Sequence, residues 1–456
     1  ATLSGSGTSY TAVLTPVADG PVALSVAAGT FSDAAGNVNA TASNEVTMTY
    51  DATAPSVSIS SSNTTVSGAA TIDIAVSFSE AVIGFTASDI SVSNGTVTTL
   101  SGRGADYLAT ITTTGRGDTE ISVPAAIATD KAGNANTASN TLSISNAVVE
   151  ETQKVIAQFI QSRATQLIAS QPNLTGFLSG SNTGALNVAV TRGRGDFDLA
   201  SAPGADNGVW ARLNGSWTHE GSRKTRYAFG VIGSHVKLSP NLLVGGMIEF
   251  DYLSQEEGAV HIDGHGWLIG PYFVARSPAH PLFFEGMFLY GQTKNDISPF
   301  GTYSDRFETQ RLLAQFKVTG EIGRGRTTWM PSVQLSYTSD TQRAYTDGLG
   351  NLIPEQGLEL IQAELGLDLR HQVRLPRSSG ALELTGGLAI VGSSTKGSGY
   401  ASLVVPEYEG GRGTVKAGVN YTLPNKAVLA VDTFYDGIGT AGYESFGVQL
   451  GFNLAF

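Results

Sequence analysis

Hydrophobic and polar residues alternate with a period of two through most of the 456 residues, and the exceptions divide the chain into parts. Near the N-terminus, Ser56-Val57-Ser58-Ile59-Ser60 and Thr71-Ile72-Asp73-Ile74-Ala75-Val76 read as half-buried strands. Over residues 147–171 the period changes. Val155, Ile156, Phe159, Ile160, Ala164, Leu167 and Ile168 recur at helical spacing, with Lys154, Gln158, Gln161 and Gln166 off that stripe. Glu150 and Glu151 stand at the end where a helix dipole favours negative charge, and Pro172 follows as a stop. One amphipathic helix of about six turns is predicted.

From residue 208 to 456 the alternation returns in twelve segments, starting near 208, 225, 241, 260, 282, 307, 327, 358, 381, 413, 426 and 443. One face is apolar, as in Leu242, Val244, Ile248, Phe250 and Tyr252, in Leu312, Ala314, Phe316 and Val318, or in Trp329, Val333, Leu335 and Tyr337. The other carries Glu249 and Asp251, Gln315, Lys317, Thr319 and Glu321, or Glu364, Asp368 and Arg370. Charges at that density do not suit a dry core but suit a wet lumen, so a barrel with its greasy face outward is predicted. Loop lengths agree. Alternate connections are tight (Leu238-Ser239-Pro240, Ser277-Pro278-Ala279-His280, Gly323-Arg324-Gly325-Arg326, Pro376-Arg377-Ser378-Ser379-Gly380, Pro424-Asn425-Lys426). The connections near 293–305, 341–357 and 394–411 are long, the asymmetry of outer-membrane barrels. Aromatics near segment ends, among them Trp210, Trp217, Tyr227, Tyr252, Tyr272, Tyr290, Trp329, Tyr337, Tyr421 and Tyr435, suit an interfacial girdle.

Composition narrows the function. A formal charge of −12 disfavours nucleic acid as a partner, because phosphate binding needs clustered Lys and Arg. The absence of Cys excludes thiol catalysis, Cys-ligated metals and disulfides. No Gly-x-Ser-x-Gly elbow and no phosphate-cradling glycine loop ahead of a helix is present, so a non-enzyme is expected.

The N-terminal part contains a repeat. Leu3-Ser4-Gly5, Tyr10-Thr11-Ala12 and Asp33-Ala34-Ala35-Gly36-Asn37 return 97 residues later as Leu100-Ser101-Gly102, Tyr107-Leu108-Ala109 and Asp130-Lys131-Ala132-Gly133-Asn134. This period suits a β-sandwich module, complete over 51–146 and half present over 1–50, as in the C-terminal portion of a longer chain. Asp51-Ala52-Thr53-Ala54-Pro55, Phe78-Ser79-Glu80, Gly84-Phe85-Thr86-Ala87-Ser88-Asp89-Ile90 and Asp130-Lys131-Ala132-Gly133-Asn134 resemble the immunoglobulin-like repeats of bacterial surface adhesins.

At the other end, Phe446, Val448, Leu450, Phe452, Leu454 and Phe456 occupy every second position and finish on an aromatic residue. This resembles the strand read by the barrel-assembly machinery of Gram-negative outer membranes. Repeats, helix, a linker over 172–207 and a barrel over 208–456 together resemble a monomeric, type Va autotransporter. That resemblance implies an all-β protein with one linker helix, immunoglobulin-like β-sandwich repeats and a 12-stranded antiparallel transmembrane β-barrel. It implies an outer-membrane translocator that secretes and anchors its own adhesin-like passenger, its partners being the lipid bilayer, the assembly machinery and a host or cell-surface receptor. Pore helices of this family are expected to be polar. The apolar stripe here therefore needs either apolar lumen positions, such as Val428, Ala430 and Phe434, or a place partly outside the pore.

Three constellations carry candidate chemistry. Asp51, Glu80, Asp130 and Asn134, with Asp33 and Asn37 equivalent in the half repeat, suit Ca2+ at repeat junctions; the same Asp-x-x-Gly-Asn pattern also makes a tight turn without metal. Arg116-Gly117-Asp118, at an expected hairpin tip, and Arg194-Gly195-Asp196 could serve an integrin or be ordinary turns. His261, Asp263 and His265 share one strand face; a metal or water-activating site and a polar lumen stripe are both open, the first pointing to a barrel enzyme with repeat spacers. A third reading makes the repeats a structural stalk.

Overall fold

The computed structural model describes residues 1–179, 185–191, 194–201, 208–220, 222–375, 380–405, 408–424, 426–439 and 445–453. They form two units, Ala1–Val148 and Val149–Phe456.

The first unit is built from short strands. In the complete repeat, Val57–Ser60, Thr71–Val82 and Gly95–Thr113 make one antiparallel sheet. Thr65–Val66, Leu142–Asn146, Thr119–Ser122 and Ser91–Val92 make the second. Alternate residues of both turn inward, so Ile59, Ile72, Ile74, Val76, Ile111, Ile121 and Ile144 form one core. Residues 1–50 hold two strand pairs, Thr2–Ser6 with Ser9–Val13 and Gly20–Leu24 with Val46–Tyr50. The repeat is visible in the backbone. Gly5 and Gly102 adopt φ of 138° and 106°, and a Cβ on either would meet the carbonyl oxygen four residues on at 2.3 Å.

In the second unit, helix α1 runs over Val148–Ala169, one residue inside the predicted span at its start and two at its end, and a single turn, α2, follows at Gly176–Ser179. Strands β1 (Ala185–Thr191), β2 (Arg194–Ser201), β3 (Val209–Glu220), β4 (Arg223–Ser239), β5 (Leu242–Glu257), β6 (Val260–Arg276) and β7 (Leu282–Ser298) come next. The wall continues with β8 (Asp305–Gly320), β9 (Thr327–Gln342), β10 (Gln356–Val373), β11 (Ala381–Ser398), β12 (Tyr408–Thr422), β13 (Val428–Ile438) and β14 (Ser445–Asn453). Each pairs antiparallel with the next, and β1 pairs with β14 from Ala185↔Asn453 to Val190↔Val448, so the sheet closes on itself. A short turn, α3 (Ala401–Val404), lies in the loop before β12.

The barrel is thus the expected architecture, but the strand count differs. The sheet has fifteen strands, one of them the three-residue Ile322–Arg324 that continues β8 past Gly320, which leaves fourteen staves rather than twelve. All twelve expected segments are present as β3–β14. The two extra strands lie at 185–201, inside the span read as linker. There Arg194-Gly195-Asp196 imitates a turn, yet its strand pairs with β1 and β3, and β1 in turn pairs with β14, some 260 residues away.

The two faces sort as the alternation predicts. Val244, Phe250, Val333, Leu335, Leu365 and Ile390 are exposed, whereas Glu249, Asp251, Gln315 and Gln362 are buried inside. The girdle needs correction. Trp217, Tyr252, Tyr290 and Trp329 face outward, but Trp210, Tyr227 and Tyr272 are buried in the lumen. No helix among the described residues is long and apolar enough to cross a membrane; the strands do so. Leu454 and Phe456, and the turns at 376–379 and Asn425, lie outside the described residues.

Candidate functional site, a pore filled by its own helix

Helix α1 occupies the lumen. Its stripe of Ile156, Phe159, Ile160, Ala164, Leu167 and Ile168 is buried against Phe229, Val231, Leu243, Met247, Leu268 and Leu313 of the wall. Burial of each large side chain is worth about 1.5–3 kcal/mol. The stripe therefore stays inside the pore, on inward apolar residues of β4–β8 and β10; Val428, Ala430 and Phe434, the expected partners, are not in this cluster.

One charge sits in the middle of the greasy contact. Arg163 is fully buried and donates from Nη1 to Asn295 Oδ1 at 2.7 Å and from Nη2 to the Gly264 carbonyl at 2.6 Å. Its Nε lies 2.9 Å from Asp251 Oδ2, and its guanidinium covers the Phe159 ring at 5.0 Å. Arg311 grips the same carboxylate, Nη2 to Oδ1 at 2.6 Å and Nη1 to Oδ2 at 3.1 Å. Two guanidinium groups thus share one carboxylate in a water-poor interior, where losing a partner is costly. Space for them comes from β6: a Cβ on Gly264 would meet Asn295 Oδ1 at 2.0 Å, and one on Gly266 would meet Arg311 Nη2 at 2.4 Å.

Both ends of the helix are tied to the wall. At the C-terminal end, Arg212 donates to the carbonyls of Ser170 and Gln171 at 3.2 and 3.0 Å, a cation where the helix dipole is negative, and Asp198 holds it bidentately. In α2, Phe177 packs on Trp210 and His235, both hydrogen-bonded to the Tyr272 hydroxyl, while Thr175 Oγ1 donates to Glu285 at 2.8 Å. This is the end of the tight turns.

At the opposite end, the long connections fold inward over the first turns of α1. Gln356 Nε2 donates to the Gln153 carbonyl at 3.0 Å, and the Tyr303 hydroxyl meets Thr152 and Asp347. Burial pushes the Tyr303 hydroxyl up to about 12. Ile353, Ala401 and Val405 from two of these loops are buried in the helix–wall core. The loops form a collar around the helix where it leaves the barrel.

The other candidates fall as follows. Asp51, Glu80 and Asp130 bring carboxylate oxygens within 4.8 Å of one another. Asn134 lies beside them, its Nδ2 donating to Asp130 Oδ2 at 2.8 Å and to the Asp51 carbonyl at 3.1 Å. Asp130 also accepts from the Gly133 and Asn134 amides at 2.7 and 2.8 Å, the hydrogen bonds of a tight turn that recurs at Asp33 and Asn37. Burial works to raise the Asp130 carboxyl, but these hydrogen bonds outweigh it and hold it low. Burial, and then Asp51, Asp130 and Asp19, raise Glu80. Asp19 was not singled out by motif. It accepts from the Ala52 amide at 2.9 Å and from the Thr53 hydroxyl, and the 97-residue period gives it no signal, since Arg116 stands at its place in the next copy.

Arg116-Gly117-Asp118 lies exposed between the two sheets of the sandwich rather than at a hairpin tip, because the strands on either side belong to different sheets. Asp118 accepts there from the Asn146 amide at 2.9 Å. Arg194-Gly195-Asp196 lies within β2. His261, Asp263 and His265 are not a lumen stripe. They share the outward face with exposed Trp267 and Ile269, near the collar end, with His261 Nε2 3.0 Å from Asp263.

A closed barrel plugged by its own upstream helix defines a class of membrane translocator. Residues 209–433 match the autotransporter beta-domain family, and residues 51–146 match the bacterial Ig-like domain family. The C-terminal barrel is an autotransporter beta-domain: it lies in the outer membrane, and the N-terminal repeats are exported. Among solved structures, the chain is similar to the beta domain of the Bordetella autotransporter BrkA, at 13% identity over 60% of this chain and 100% of that one, with a TM-score of 0.40. It is also similar to the translocator domain of NalP from Neisseria meningitidis, at 16% identity over 68% and 99%, with a TM-score of 0.40. The transport unit of AIDA-I from Escherichia coli follows, at 12% over 60% and 88%, with a TM-score of 0.30. At these scores the similarity carries no further conclusion. No curated protein sequence matches the chain.

Proposed function

We propose that this outer-membrane translocator secretes and anchors its own N-terminal passenger, and that the passenger is an adhesin-like stalk or binding module. The observation that carries the reading is the direction of α1 in the closed ring: the chain rises from the tight-turn end and leaves through the collar. A fourteen-stave ring has room for a helix or extended chain but not for a folded sandwich, so the repeats cross unfolded and fold outside. The absence of Cys suits that passage, since no disulfide ties a loop in the oxidising periplasm. Folding outside biases transit forward, because a folded module cannot slide back.

In the same reading, the alternating sequence from Phe446 to Phe456, whose Phe446, Val448, Leu450 and Phe452 are exposed, is the signal for the barrel-assembly machinery. Ca2+ neutralises Asp51, Glu80 and Asp130 and stiffens the junction between repeats. Hydrolysis in the barrel has less support, because His261, Asp263 and His265 face outward, away from the lumen.

A disulfide-locked domain fused upstream of residue 51 tests transit. Surface exposure should be blocked in oxidising medium and restored by reductant; equal exposure in both would reject unfolded transit. Cell–cell or cell–surface attachment that survives deletion of residues 1–146 would reject the adhesive role.

A further inference from the structure

Arg311 passes over its nearest opposite charge. On the lumen face of β8 it stands directly across the ladder from Asp340 of β9, where residues of opposite charge ordinarily pair. Its guanidinium reaches the other way instead, past Thr293 of β7 and Gly266 of β6, to grip Asp251 on β5. Asp340 is left 2% exposed, and among the described residues neither of its oxygens accepts a hydrogen bond. The ion pairs of Arg163 and Arg311 both go to Asp251. The Thr309 hydroxyl beside Asp340 meets Thr293 Oγ1 at 2.7 Å. A carboxylate so deeply buried is ordinarily bonded, because a bare charge away from water is costly.

The groups around Asp340 show what it does there. Arg311 on β8 and Arg163 on α1 face it through space, and Asp251 on β5 is the second anion of the set. Its direct neighbour on β10 is the apolar Leu358. Tyr227 on β4 and Glu249 on β5 flank the two guanidinium groups, and Glu249 has the neutral Gln171 amide for a partner at 3.3 Å. Of the four charges, three belong to the wall and one arrives with the helix. Arg311 and Asp251 alone would be a neutral pair with no net pull on a further cation. With Asp340 the wall carries one unit of negative charge in excess, and Arg163 matches it.

We propose that Asp340 is a positioning residue for the plug, supplying the net negative charge that the wall presents to Arg163, and that its protonation in acid releases the helix. It acts on Arg163 through the field and not by contact, so its effect follows its charge. The two arginines stay charged throughout, which leaves the response to the carboxylate. The inference rests on α1 filling the lumen, not on what the passenger does.

The test uses the full chain in phosphatidylcholine vesicles. Ala157→Cys places its single thiol on the buried face of α1, and reaction with a small maleimide reports helix opening. The rate is measured between about pH 8 and about pH 5 and divided by that of Lys131→Cys, an exposed site in the repeat, which removes the pH dependence of the thiol itself. The ratio should rise at least about tenfold on acidification, the factor for removing a unit charge about 10 Å away at an effective dielectric constant of about 20. Adding Asp340→Asn should give the fast, acid-like ratio already at the alkaline end and little change below it. Adding Glu249→Gln should leave the rise in place. Folding of every sample is checked by its compact migration on unheated gels. A ratio that stays flat without any change at Asp340 would overturn the assignment, whether or not Asp340→Asn folds. So would a rise that survives Asp340→Asn or disappears in Glu249→Gln.

Discussion

Replacing Arg163 by Met should loosen the helix without removing its apolar contacts. The substitution takes two charge-assisted hydrogen bonds from Asn295 and the Gly264 carbonyl and one of the two cations from Asp251. Breaking a buried ion pair costs about 3–5 kcal/mol. Asp251 keeps its bidentate contact with Arg311, so the lower end, about 3 kcal/mol, applies here. At 1.4 kcal/mol per decade, the helix-out population rises by roughly 100-fold. Because the chain has no Cys, Ala157→Cys installs a single thiol on a fully buried face of α1. Its rate of reaction with a small maleimide reports helix opening when opening and closing are fast. Arg163→Met should raise that rate by about two orders of magnitude, Arg163→Lys by less, and Asp251→Asn by more, since it strands both guanidinium groups. Labelling in Arg163→Met indistinguishable from the parent would mean that apolar packing alone holds the plug, and the reasoning would fail.

Gly266→Leu should reduce the heat-modifiable, folded fraction sharply, because its side chain would occupy the space of the Arg311–Asp251 contact. Ile353→Asp, at a buried collar position, should raise the ion conductance of the barrel in planar bilayers while leaving the wall folded; unchanged conductance would show that the collar does not seal. In the isolated repeat unit, the raised Glu80 carboxyl binds its proton more tightly folded than unfolded. Above the ordinary carboxylate range, where the lowered Asp19, Asp33 and Asp130 are ionised folded and unfolded alike, stability should therefore fall as pH rises through Glu80's raised value, and Ca2+ should cancel that fall; a melting curve flat across this window, or unmoved by Ca2+, would count against the junction reading.

Much of this architecture was readable from periodicity. The twelve segments β3–β14 begin within a few residues of where the alternation starts, and the helix over 147–171 is found at Val148–Ala169. The period of two groups residues on a face but does not say which face is inside. At His261, Asp263 and His265 polarity suggested the lumen, yet a strand longer than the hydrocarbon layer puts polar residues outside as well. Trp210 and Tyr272 misled in the opposite way: as aromatics near strand ends they suggested an interface, but they line the socket of α2. The core of the site was hidden for a different reason. Arg163 finds its partners 88 and 132 residues away, and the glycines that make room for it look like any others in a chain with 55 of them.

The seam between β1 and β14 has a consequence for biogenesis. The first stave of the wall is joined to the last, so the cylinder cannot be completed until the final nine-residue strand has been made and placed. Until then the wall is an open curved sheet with two free margins, and its hollow is reachable from the side. A plug whose side chains interlock with that hollow, as the Arg163 fork does with Asn295 and Gly264, need not be pushed lengthwise through a finished tube; the tube can be wrapped around it.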